Sequence, residues 1–164
     1  MPETIAAPVR RKRGKSPTAR SLEFLRKSGD PAVVEKHSPF GGKFGKKHDL
    51  WGYIDILSLP YDGSGIIGVQ TTSGSNVAAR RSKIMGITPA GATDKEKAEA
   101  ARIRARAILF LQNGGKLFLH GWAMRGPRGA AKRWTVTVEE VTLEVLAVSP
   151  GLEHTEASAQ EELF

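Results

Sequence analysis

Two apolar runs separated by a turn-forming pentapeptide constrain this chain more than any other feature. Residues 49–72 read DLWGYIDILSLPYDGSGIIGVQTT, with Tyr61-Asp62-Gly63-Ser64-Gly65 between the runs. This pattern predicts a β-hairpin with a glycine-containing loop. Polar residues interrupt both strands where a purely structural hairpin would carry aliphatics. Asp55 stands between Ile54 and Ile56 in the middle of the expected first strand, and Gln70 follows Val69 near the end of the second. A mid-strand aspartate is disfavoured by strand propensity, and burying it without a partner costs several kcal/mol. Something must compensate it, either donors of the protein itself or a metal ion.

The 164 residues, 40% of them hydrophobic, support one domain with a real core and loose ends. With no cysteine there is neither a disulfide framework nor a thiolate zinc site, and the four histidines (His37, His48, His120, His154) lack metal-ligand spacing. No apolar run approaches the roughly 20 residues of a membrane span, and no apolar stretch follows the first basic residues as a signal peptide would require. The expectation is a soluble, cytoplasmic protein that makes no membrane contact.

The net charge of +8 is unevenly placed. Residues 1–48 hold twelve Lys or Arg against four acids, and residues 49–138 hold thirteen against six. From Glu139 onward there are seven Glu and neither Lys nor Arg. A basic front and middle with an acidic end suits a body that binds a polyanion.

Taken in order, residues 1–17 carry Arg10, Arg11, Lys12 and Arg13 with almost nothing to bury, and are expected to form a disordered basic arm. Residues 18–148 should form the folded domain and 149–164 an acidic tail. Residues 18–28 predict a short amphipathic helix and 32–36 a strand. Residues 37–48, HSPFGGKFGKKH, are expected to be a flexible loop, or one that contacts DNA through Lys43, Lys46 and Lys47. A helix is expected to open near Ser75 or Asn76 and to carry Arg80, Arg81 and Lys83. Thr93-Asp94-Lys95-Glu96 matches a capping box at the head of the longest helix, which reaches about Gln112. Ala98, Ala101, Ala105, Ile108, Leu109 and Gln112 recur along it at helical spacing and predict a small-residue face against a sheet. Residues 116–122 and 134–146 predict two further strands joined by a basic loop with Arg125, Arg128 and Lys132. In the last strand Trp134, Val136 and Val138 alternate with threonines, which predicts one buried face. The sum is a single α/β domain, a mixed sheet flanked by helices.

That order, with an Asp-bearing strand, a tight turn and a second polar-marked strand followed by a helix, resembles the core of the PD-(D/E)xK nuclease superfamily. It is most similar to the small Holliday-junction-resolvase-like and phage members. The matching piece is Gly52-Tyr53-Ile54-Asp55-Ile56-Leu57 and Gly68-Val69-Gln70-Thr71-Thr72, with residues 18–28 in front and Arg80 to Lys83 behind. The resemblance covers residues 18–146 and implies a restriction-endonuclease-like core. It also implies DNA as substrate, Mg²⁺ or Mn²⁺ as cofactor, and a homodimer where cleavage is symmetric.

By the resemblance, Asp55 and Gln70 are metal ligands, and Gln70 and Thr72 occupy the places where Glu and Lys are usual. An amide oxygen can ligate Mg²⁺ but brings no charge, and a threonine hydroxyl cannot replace an ammonium. Period two puts Gln70 and Thr72 on one face beside Asp55. Either the site is active with relocated groups, or it has lost catalysis and only binds DNA. In the first case Lys83 supplies the ammonium and Glu35 or Asp49 a second carboxylate. A basic nucleic-acid-associated structural protein outside the superfamily is the remaining alternative.

Overall fold

The computed structural model describes residues 14–34, 36–38 and 46–147. Ser16 opens the fold: its side chain accepts the Ala19 N–H, and Pro17, which has no N–H to satisfy, takes the first turn of α1 (Pro17–Leu25). There follow β1 (Gly29–Val33), β2 (Lys36–Ser38), β3 (Lys46–His48), β4 (Ile56–Pro60) and β5 (Ile67–Ser73). A turn of 3-10 helix (Gly74–Asn76) leads into α2 (Val77–Ile84), then come α3 (Asp94–Gln112), β6 (Lys116–Arg125), β7 (Arg133–Val141) and α4 (Leu143–Ala147). Five strands form one sheet in the order β1-β4-β5-β6-β7, while β2 and β3 pair separately.

The sheet is mixed because its connections differ. The β4–β5 loop is short, so those strands pair antiparallel as a hairpin, Ile56 opposite Val69. Between β5 and β6 lie α2 and α3, a crossover long enough for parallel pairing with Ile67 opposite Lys116. The capping box at Thr93 and Glu96 is formed, and the 19 residues of α3 span about 28 Å. Pro31 is tolerated in β1 because that strand is an edge.

Period two splits the sheet into two apolar layers. Ile56 and Val69, with Phe118 half-buried beside them, pack under Leu22 and Leu25 of α1. On the other face Leu117, Leu119 and Val141 meet Ile84, Ile103, Ala107 and Leu146 from α2, α3 and α4. Each fully buried aliphatic contributes roughly 1.5–3 kcal/mol. The start of α2 lies so close to β6 that a Cβ on Gly121 would stand 2.4 Å from Val77 Cγ2. Any side chain at that position would have to displace Val77.

The α/β class, the mixed sheet and the flanking helices are as expected from the sequence; several elements are not. The first strand begins at Gly29 rather than Ala32, and the expected loop 37–48 contains the paired strands β2 and β3. Asp55 precedes β4 instead of lying mid-strand, because residues 50–54 close a turn in which Ile54 N–H donates to Leu50 O. The sheet-facing side of α3 is built from Ile103 and Ala107, with Phe110 and Leu111 packed against the core, whereas Ala98, Ala101, Ala105, Leu109 and Gln112 are exposed. The last strand stops at Val141, where Thr142 caps α4 by accepting the Val145 N–H. Trp134 and Val138 are each 44% exposed, because β7 is an edge strand.

Candidate functional site

The site forms where β4 stops and β5 continues. The β4–β5 ladder ends at Ile56 opposite Val69, leaving residues 70–73 of β5 without a neighbour on that side. Asp55, the first residue outside the ladder, fills the gap. Its N–H donates to Val69 O (3.0 Å), and its own carbonyl accepts the Val34 N–H (2.9 Å). Its Oδ2 accepts Gln70 Nε2 (2.6 Å), the Thr71 N–H (2.7 Å) and the Thr71 hydroxyl (2.9 Å). A side chain thus satisfies the backbone donor that a continuing strand would have taken. The partner that a buried Asp55, 5% exposed, requires is supplied for one of its two oxygens.

Gln70 is 1% exposed, and its Oε1 has no hydrogen-bond partner among the described residues. A buried amide oxygen left open in this way forfeits about 1–3 kcal/mol. Gln70 belongs to the wall of a cleft of about 560 Å³ that is also lined by Asp49, Asp55, Thr72, Arg80 and Lys83, with the first turn of α1 at its rim. Lys83 Nζ lies 3.5 Å from Asp49 Oδ2. Burial pushes the Asp55 carboxyl up to about 6; hydrogen bonding from Thr71 opposes this, and the neighbouring Asp49 carboxylate adds to it.

These donors fit a hard divalent cation. Among the described residues no three His, Cys, Asp or Glu side chains converge to hold a metal by themselves. Asp49, Asp55 and Gln70, which line the same cleft, carry oxygen donors of the kind that Mg²⁺ and Mn²⁺ take, with water or phosphate oxygens to complete a shell. A cation there would also offset the burial that holds Asp55 above its ordinary range.

Of the other residues singled out in the sequence, Arg80 reaches the cleft, whereas Arg81 forms a two-pronged ion pair with Glu139 on β7. Arg125 donates to the Thr137 hydroxyl, and Arg128 and Lys132 are exposed in the β6–β7 turn. Arg10, Arg11, Lys12, Arg13, Glu35, Lys43 and the acidic tail lie outside the described residues, as do the side chains of Lys46 and Lys47.

Sequence reasoning missed Thr71. Its hydroxyl bonds Asp55 and lies 3.0 Å from the Thr18 hydroxyl, tying α1 to the cleft from the opposite face of the sheet. It missed also a second buried polar cluster under α1. His120, 2% exposed, places Nδ1 3.0 Å from Ser21 Oγ, which accepts the Trp122 indole N–H at 2.8 Å. Burial lowers the imidazole to about 4, so the ring is neutral near pH 7. Phe24 stands edge-on to both rings. Only Ser21 at helical spacing from Thr18 hinted at either contact.

Comparison of the chain with protein-family models, with curated proteins and with solved structures finds no match.

Proposed function

We propose that the cleft hydrolyses a DNA phosphodiester with the help of Mg²⁺ or Mn²⁺. The observation that carries the proposal is the unpartnered Gln70 Oε1, buried in the cleft wall beside two carboxylates. Asp49, Asp55 and Gln70 would hold the cation, which supplies an activated water and stabilises the leaving oxygen. Lys83, next to Asp49, places its ammonium where charge builds on the phosphate, the part that Thr72 cannot play. The Thr72 hydroxyl can donate to a phosphate oxygen or orient water, and Arg80 offsets phosphate charge at the rim. Asp55 must be ionised to ligate, so cation affinity should rise as the pH passes about 6.

A second reading is a DNA-binding site without catalysis. It is favoured by the three donors already on Asp55 Oδ2, which leave one oxygen of that carboxylate for a metal. One experiment separates the two. The melting temperature and the cleavage of plasmid, single-stranded and branched DNA are followed with Mg²⁺ and Mn²⁺ at pH 8 and pH 5. The nuclease reading expects cation stabilisation and cleavage at pH 8 that fade at pH 5. Binding of DNA with neither leaves the second reading.

A further inference from the structure

The β6–β7 hairpin leaves the sheet at the same end as the cleft. Strands β5 and β6 are parallel, and their ladder ends with Ser73 opposite Trp122. Beyond it β6 and β7 continue as a two-stranded ribbon, with Ala123 opposite Thr135, Met124 opposite Trp134 and Arg125 opposite Arg133. The cleft is built on residues 70–73, the last residues of β5, so the ribbon projects from the sheet edge that holds it.

The ribbon has an ordered tip and a braced root. Ala130 N–H donates to Pro127 O at 3.2 Å, and Gly129 takes the positive φ of 86° that such a turn demands of its third residue. Arg128 therefore sits at the apex. At the root the Arg20 guanidinium lies 4.0 Å from the centre of the Trp134 ring, and Arg125 donates to Thr137 at 3.1 Å. Every residue from 124 to 135 is exposed. Arg125, Arg128, Lys132 and Arg133 make four cations in this stretch, and there is no acid. A basic loop kept only for solubility would need neither the bracing nor the placement.

We infer that this ribbon enters the major groove of duplex DNA and positions the duplex over the cleft, an inference that rests on the DNA reading of the cleft. The groove is about 12 Å wide and admits a two-stranded β-ribbon, whereas the major groove of an RNA duplex is too deep and narrow for one. Arg128 and Lys132 would meet phosphates on the groove walls.

The test compares the full-length chain with the double variant Arg128→Ser, Lys132→Ser. Fluorescence anisotropy is measured on a mixed-sequence DNA duplex, an RNA duplex of the same sequence and the single DNA strand. The variant should keep the wild-type melting temperature, because both side chains are exposed. Its affinity for the DNA duplex should fall on the order of tenfold, and the slope of log affinity against log salt should shrink by about two. Binding to the RNA duplex and the single strand should change less than about twofold. An unchanged DNA-duplex affinity overturns the inference, and so do equal losses on all three probes, which would mark a general polycation. Failure of the cleft reading has a different signature, absence of cleavage with either metal while the ribbon effect persists. A wild-type chain that binds no DNA duplex overturns both.

Discussion

Two buried polar clusters lie on opposite faces of β5, and they are built on different rules. Under α1, Ser21 joins His120 and Trp122, and the set closes on itself beneath Phe24. On the other face Asp55 takes three donors on one oxygen, while Gln70 keeps an acceptor open and Asp49 adds a second carboxylate. Satisfied polar clusters add rigidity and specify packing. A cluster whose groups repel and whose acceptor stays open forgoes stability that a ligand can restore. The closed cluster serves the fold; the open one is the place to look for chemistry.

The largest expected effect breaks the open side alone. Asp55→Ala should lower metal-dependent cleavage on the order of a thousandfold, the several kcal/mol that a metal supplies, and leave duplex affinity equal or tighter. Cleavage that survives the substitution would remove Asp55 from the site.

The pH profile of stability sets the two sides against each other. Asp55, raised to about 6 from 3.8, contributes stability that is full below about pH 4 and lost as the pH rises through 6, about 3 kcal/mol in all. His120, lowered to about 4 from 6.5, contributes stability present above 6.5 and lost as the pH falls through 4, again about 3 kcal/mol. Without divalent cations the wild-type urea midpoint should therefore change little between pH 4 and 6.5. Asp55→Asn should uncover the histidine, its midpoint falling steadily on acidification. A flat profile in that variant would mean that His120 does not titrate as its burial requires.

Smaller effects sharpen the contrast. Ser21→Ala strands the buried Trp122 N–H and should cost about 1–3 kcal/mol in urea unfolding while cation-induced stabilisation is kept. Loss of that stabilisation would show that the clusters are coupled, through Thr18 and Thr71. Lys83→Ala should slow cleavage by roughly tenfold to a hundredfold with under about 1 kcal/mol of stability change, since its ion pair is part-exposed. Gln70→Glu should tighten Mg²⁺ binding at pH 8, which titration calorimetry would register; weaker binding would contradict the amide as ligand.

Much of the open cluster was legible because its residues are anomalies. Asp55 and Gln70 interrupt apolar runs, and Asp49, Thr72, Arg80 and Lys83 follow from the hairpin and the helix behind it. The closed cluster was not legible, since His120 and Ser21 are far apart in sequence and meet only through the parallel pairing of β5 with β6. Two misreadings share a cause. Ala98, Ala101 and Ala105 are suited to a helix by propensity wherever they face, so alanine spacing says little about contact. The alternation of Trp134, Val136 and Val138 marks a strand truly but not what covers it; an edge strand reads the same. Residues 36–48 hide strands β2 and β3 because glycine and lysine carry no period.

The three tryptophans give the molecule a built-in optical readout. Trp122 is buried in the closed cluster, so its emission should redden only on global unfolding. Trp51, held at a φ of 55°, tilted against Phe110 and 42% exposed, lines a separate groove beside the end of α3 and should report local changes there. Trp134 lies beneath the Arg20 guanidinium at the ribbon's root and should be quenched or released when DNA engages the ribbon. Single Trp→Phe replacements would thus assign each colour change to one region, and a titration could be read as a sequence of local events.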